Sequence, residues 1–427
     1  MLSSVDERRY AGLPRFIFGV NGRGGEAPML AAHKPGWVVL KASVNPPNSS
    51  GDFAALASEG LGVIVQLEYG SPARSIPPCP DEYERFARKC AEFVAQSRGA
   101  RLWAIGDEPN VAPGPAAPPD AEREVITPEL YARCFIRCRE AIRSLPGHEQ
   151  DWVIPAATAP FNYETKYPSN PTGDWVRYFA DVLLQITMQG SRADALALHA
   201  LTRGIDPEQV TSEERAEEPF SNRRRHFRAY RDFLAAVIPA MRTLPVLITA
   251  ARPGELGWTD GTQNWIQAAC AEIDAWNSDP ANQPIQALCF DRWEARPGDG
   301  PERGMSDQQV VADLGAALQN PYRVRWPLAA AQVDGAGEAD ARLLAGEARL
   351  PDFAGHELYA GDRLHVRVSV ENCGAQGWPA EGIRRVLLGY RWHSLGGEEM
   401  TLRRYHGPFP MVGPALPGEF AAFDAVE

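Results

Sequence analysis

Asp107 and Glu108 close the apolar run Leu102-Trp103-Ala104-Ile105 and stand directly ahead of Pro109 and Asn110. Adjacent carboxyls at the end of a buried strand suit acid–base chemistry, because the charge of one disfavours ionisation of the other and lets it keep a proton. Glu108 is the candidate proton donor, its pKa held up by Asp107. Leu102 to Ile105 read as a strand buried on both faces, and Gly106 and Pro109 mark where regular pairing ends. In a parallel αβ barrel such a tip is the functional face, since the loops after the strands line the cavity.

Cutting a glycosidic bond takes two carboxyls on opposite sides of it, one to protonate the leaving oxygen and one to attack or to activate water. Glu68, ending a third strand, and Asp291, ending an eighth, are further rim carboxylates able to serve as an inverting base. Tyr69, Trp258, Trp293, Phe161 and Tyr163 suit stacking against a pyranose ring. The plainer alternatives are a Glu108 that caps the next helix, a His199 that is a satisfied strand-end histidine, and rim aromatics of no special purpose. No His–carboxylate cluster recurs at strand ends, so neither metal nor other cofactor is expected. Asn21-Gly22-Arg23-Gly24-Gly25 lacks the lysine and the glycine order of a phosphate loop.

The elements that must position these residues alternate regularly. Strands are expected at Arg15 to Val20, Trp37 to Val44, Val63 to Gly70, Leu102 to Ile105, Trp152 to Thr158, Ala193 to His199, Pro245 to Thr249 and Ile285 to Asp291. Helices are expected at Asp52 to Ser58, Pro80 to Ser97 with Asp81 at its cap, Thr127 to Ser144, Asp174 to Gln189, a long one ending at Met241, Thr262 to Asn277 and Ser306 to Leu318. Arg223, Arg224 and Arg225 read as a solvated face. Val111 to Asp120 is an excursion over the mouth. This is an α/β chain whose residues 1–325 form a (β/α)8 TIM barrel.

Residues 326–340 are a linker, and from 341 to 427 the period changes to two, as in a small all-β sandwich. Arg363 to Val370 and Val386 to Tyr390 are its clearest strands, with Trp378, Tyr390 and Trp392 as core. The 427 residues, 55 acidic and 43 basic with a net charge of −12, suit two domains and argue against a nucleic-acid groove. The N-terminus has no apolar run and no segment is long enough to span a bilayer, which points to a soluble chain without a signal peptide. Seven cysteines without a CxxC pair read as buried free thiols, which fit a reducing compartment or a secreted chain trimmed of its signal peptide. Oligomeric state and compartment are left open.

Leu102 to Asn110, LWAIGDEPN, resembles the fourth-strand signature of the clan A glycoside hydrolases, and LPVLIT resembles the seventh-strand segment that runs on into their nucleophile. The resemblance implies a protein acting on a β-linked oligo- or polysaccharide, with Glu108 as acid/base and Asp107 where an Asn usually binds the sugar 2-hydroxyl. It puts His199 and Trp293 where the clan often has a His or Tyr and a sugar-stacking aromatic; Asn110, Glu68, Trp258 and Asp291 join them as substrate-binding candidates from their own positions at the strand ends. Where the clan has its nucleophile Glu this chain has Ala250, which can be neither nucleophile nor base. Three explanations stand: deliberate replacement, a natural relative that lost catalysis and kept carbohydrate binding, or Glu255 in ARPGELGW reaching back as substitute. Leu201 and Arg203 also depart from the aromatic character the resemblance leads one to expect there. ENCGAQGWP and VLLGYRWH resemble the immunoglobulin-like modules appended to bacterial enzymes.

Overall fold

A computed structural model of the chain describes residues 12–47, 51–70, 75–111, 125–254, 257–293 and 304–325, and five strands between 346 and 426. The chain divides into two compact units, Met1–Ala329 and Ala330–Glu427.

In the first unit strands and helices alternate as β1 (Phe18–Asn21), α1 (Glu26–Ala31), β2 (Trp37–Ser43), α2 (Ala54–Ser58), β3 (Gly62–Glu68), α3 (Tyr83–Gln96), β4 (Leu102–Ile105) and α4 (Pro128–Arg143). They continue as β5 (Trp152–Pro155), α5 (Trp175–Met188), β6 (Leu196–Leu201), α6 (Ala229–Ala235), β7 (Val246–Arg252), α7 (Trp265–Ser278), β8 (Ile285–Asp291) and α8 (Gln308–Ala317). The eight strands form one parallel sheet in the order β5-β4-β3-β2-β1-β8-β7-β6. The seam between β5 and β6 is closed by Asp194, whose backbone N–H donates to Val153 at 3.2 Å while its carboxylate accepts from the Val153 N–H at 3.1 Å. Arg139 and Arg143, one helical turn apart on α4, each lie 3.3 Å from the same carboxylate. The sheet is thus a nearly closed barrel with helices outside.

Side chains alternate across each strand, and two separate apolar clusters result. Trp37 and Val39 of β2, Ile64 of β3, Leu102 and Ala104 of β4, Ala197 of β6, Leu247 of β7 and Cys289 of β8 fill the interior. Their neighbours of opposite parity pack outward against the helices. Continuing the inward parity toward each strand's C-terminal end gives Asn21, Lys41, Gln66, Glu68, His199 and Asp291. The sequence therefore places a polar layer on top of an apolar one.

Several expectations change. The long helix ending at Met241 shortens to Ala229–Ala235. Upstream, the Asp232 carboxylate takes the Arg224 N–H at 2.6 Å, and downstream Pro239 has no N–H to give an α-helix. Arg223, Arg224 and Arg225 are not a bare solvated face: Arg223 pairs with Asp174, Arg224 with Glu213 and Asp232, and Arg225 with Glu214. Pro80–Glu82 is a turn of 3-10 helix, so Asp81 does not cap the helix that starts at Tyr83. Strand β7 runs three residues beyond Thr249.

Six described cysteines are free thiols, all buried except the half-buried Cys79. No helix among the described residues is long and apolar enough to cross a membrane. In the second unit Phe420–Val426, His365–Asn372 and Gly346–Arg349 form an antiparallel sheet in that order, and Leu387–Leu388 pairs with Phe409–Pro410. The linker and the aromatics Trp378, Tyr390 and Trp392 lie outside the described residues.

Candidate active site

After Ile105 the chain leaves β4 through Gly106, whose positive φ of 78° and close approach to Ser75 exclude a side chain. The Asp107 N–H donates to Ser75 Oγ at 2.9 Å and the Glu108 N–H to the Ala157 carbonyl at 3.0 Å. Glu108 itself has φ 47°, a left-handed conformation uncommon for a glutamate. Strained backbone of this kind persists where surroundings over-determine it, and it clusters at functional sites.

Two hydrogen-bonded groups converge here. Lys41 Nζ on β2 donates to Asp107 Oδ2 at 2.6 Å and lies 3.3 Å from Glu68, and Gln66 Nε2 on β3 donates to Asp107 Oδ1 at 3.0 Å. His199 on β6, 4% exposed, has Nδ1 at 2.7 Å from Glu108 Oε1. Its Nε2 lies 3.4 Å from Asp107 Oδ1, close enough for charge attraction but without hydrogen-bond geometry. Glu108 is the more open end of this chain, with 34% of its side chain exposed against 13% for Asp107.

Burial pushes the Glu108 carboxyl up. The His199 hydrogen bond and the positive charges of His199, Lys41 and Arg252 outweigh it, and the net direction is downward. Burial likewise pushes His199 down, but the bond to Glu108 and the charges of Asp107, Glu108 and Asp291 bring it above its ordinary value. The expectation that Asp107 holds Glu108 up is therefore corrected. Lys41 pairs with Asp107 at 2.6 Å, and Glu108 and His199 each favour the charged form of the other.

Strand β7 faces this pair. Ala250 is paired in register with His199, and laterally paired residues point to the same side of a sheet. Ala251 packs in the outer core, and Arg252 follows with Nε 3.8 Å from Asp291 Oδ2. An alanine and a cation thus occupy the tip of β7. Glu255 lies outside the described residues.

Other candidates settle differently. Asn110 is 1% exposed, and its amide donates to the Ala159 carbonyl at 3.0 Å while its oxygen accepts the Ala159 N–H at 2.8 Å. It clamps the loop after β5 instead of meeting a ligand. Trp258, 2% exposed, packs edge-on against Trp265 and donates to the Asp291 carbonyl at 2.8 Å, so it offers no stacking face. Trp293 is half-buried over the loop after β1, where a Cβ at Gly24 would come within 2.5 Å of its indole. That contact accounts for Gly24, and the same ring lies 2.7 Å from a Cβ at Gly25. Tyr69 is held by Glu82 at 2.6 Å. Phe161 and Tyr163 line a cleft beside Phe220 and Arg203.

Lys41, Gln66 and Arg252 were not singled out by sequence reasoning. The signal for the first two was present, as polar residues at inward parity one step beyond Val39 and Ile64. Among the described residues no cluster of histidine, cysteine and carboxylate side chains is arranged to hold a metal ion.

No protein-family model and no curated protein matches the chain. Among solved structures it is similar to a glucosidase from Croceicoccus marinus, at 11% identity and TM-score 0.48, covering 92% of this chain and 81% of that one. It is similar to a GH5_18 protein from Bifidobacterium longum subsp. infantis, at 9% identity and TM-score 0.47, covering 74% and 81%. It is also similar to the GH39 enzyme from Xanthomonas axonopodis pv. citri, at 12% identity and TM-score 0.44, covering 84% and 73%. The barrel assignment itself rests on strand order and register.

Proposed function

We propose that the barrel is a glycoside hydrolase-like protein that takes a β-linked glycan at its C-terminal mouth, with Glu108 as the proton-transfer group. The observation that carries this reading is the Glu108–His199 bond at 2.7 Å, inside a polar layer that also holds Asp107, Lys41 and Gln66. The pair carries one exchangeable proton. With the mouth empty it sits on the imidazole; a sugar that displaces water raises the cost of the Glu108 charge, and the proton passes through Nδ1 to Oε1, from which the leaving oxygen can take it. Asp291, on β8 four strands round the barrel from β4, would act as the second acid group, with Arg252 beside it.

A second reading, a glycan-binding relative without turnover, is favoured by one observation: Ala250 stands in register with His199 and no carboxylate ends β7. An oxocarbenium-like transition state then lacks facing negative charge. The antiparallel strands of residues 341–427 support the proposal that this part is an immunoglobulin-like module.

Hydrolysis of aryl β-glycosides, with and without formate, separates the two readings. Turnover by the unaltered chain, or its appearance with formate or in Ala250→Glu, supports the hydrolase. Glycan binding with no turnover under any of these conditions supports the binding protein, and neither binding nor turnover removes both.

A further inference from the structure

The loop after β5 and the hairpin between β6 and α6 border an open cleft of about 580 Å³. Both segments follow parallel strands, so the cleft opens at the end of the barrel that carries Glu108. The hairpin is fixed by the Ala216 N–H bond to the Arg223 carbonyl at 2.8 Å, and Arg223 pairs with Asp174 at the start of α5. The opposite wall is laced to the Glu108 turn: Ala157 accepts the Glu108 N–H, Asn110 brackets Ala159, and Thr165 Oγ1 donates to the Asn110 carbonyl at 2.6 Å. Phe161 follows Ala159 by two residues, at most about 7 Å of chain. That wall of the cleft is therefore tied through Asn110 and Ala159 to the turn that carries Glu108.

The walls are aromatic. Tyr163 is 55% exposed, and its ring lies 6.1 Å from Phe220 at an interplanar angle of 33°. Phe220 is 4.9 Å from Trp175, and Phe161 meets Trp175 edge-on at 5.6 Å. Trp175 is 3% exposed, yet its indole N–H finds no acceptor. A buried donor without a partner is costly, and here it borders a cleft large enough for an oligosaccharide segment. The rim carries both signs of charge, Lys166, Arg203 and Arg225 against Glu217 and Glu218, and Arg225 is already paired with Glu214 at 3.2 Å. Flat aromatic faces ringed by mixed donors and acceptors suit a neutral polyhydroxylated ligand better than an anion.

We propose that this cleft is a subsite for a neutral pyranose stacked on Tyr163 and Phe220, so that the ligand is a glycan chain running from Glu108 toward the β5–β6 side, not a single terminal sugar. The inference rests on the glycan reading of Glu108 and adds the length and direction of the ligand.

The test is calorimetric binding of β-linked gluco- and galacto-oligosaccharide ladders, from disaccharide upward, to Glu108→Gln, in which turnover is blocked. Affinity is expected to rise about tenfold or more as the ladder lengthens, the scale of one aromatic stacking contact. Tyr163→Ala added to that protein abolishes the rise and leaves the shortest binder unchanged. Trp175→Phe replaces the indole by a smaller aromatic ring without the N–H, and weakens only the longer members. Equal affinity along the ladder, or a rise that Tyr163→Ala does not touch, overturns the subsite while leaving the Glu108 reading intact. No binding at any length overturns both.

Discussion

His199 Nδ1 lies 2.7 Å from Glu108 Oε1, joining the tips of β4 and β6, with Ala250 of β7 in register beside His199. This contact turns a neighbouring pair of acids into a proton-sharing couple. Glu108 sits below its ordinary pKa and His199 above its own.

The signs fix a pH window. A lowered carboxyl contributes stability that is present above its unfolded value, about 4.3, and is lost as pH falls through the folded value. A raised imidazole contributes stability that is present below its unfolded value, about 6.5, and is lost as pH rises through the folded one. The bond therefore stabilises the fold most between about pH 4.3 and 6.5. Melting temperatures of wild type and His199→Gln should differ most in that interval and converge on either side. A difference that is flat with pH would contradict the ionised pair.

Asn110 holds both backbone groups of Ala159 in a buried setting. Asn110→Ala leaves a buried N–H and a buried carbonyl unpaired and should cost about 2 to 4 kcal/mol in urea unfolding. Asn110→Asp keeps the acceptor and loses the donor, so it should fall between. Equal stability of all three proteins would show that the clamp carries no weight.

Asp194 is the seam of the barrel. Asp194→Ala strips the Val153 N–H of its acceptor and leaves Arg139 and Arg143, both largely buried, without their shared anion. Breaking such a buried pair costs about 3 to 5 kcal/mol. Hydrogen exchange should quicken first at Val153 and Asp194, where the seam opens, and a loss spread evenly over the barrel would argue against a local role.

All eight strands were legible because each is an apolar run halted by glycine, proline or a charged residue. What their ends meet was less so. The apolar run of β7 meets no halt before Arg252-Pro253-Gly254, so its extension past Thr249 was readable; the arrival of Arg252 beside Asp291 was not, because the two come from different strands. Asn110 and Trp258 have residue types that suit a binding surface, and only their burial shows that they serve the backbone. The polar layer above Val39 and Ile64 was readable by parity. The direction of the Glu108 shift was not, since it is decided by Lys41 and His199, which arrive from other strands.

The proton-transfer role of Glu108 is tested most directly by kcat/KM for aryl β-glycosides with good and poor leaving groups, comparing Ala250→Glu with the same protein carrying Glu108→Gln. The account predicts that losing the Glu108 carboxyl slows poor leaving groups by about 10² or more, spares good ones, and is answered by azide with formation of a glycosyl azide. Equal rates with and without that carboxyl, across both leaving-group classes, would contradict it.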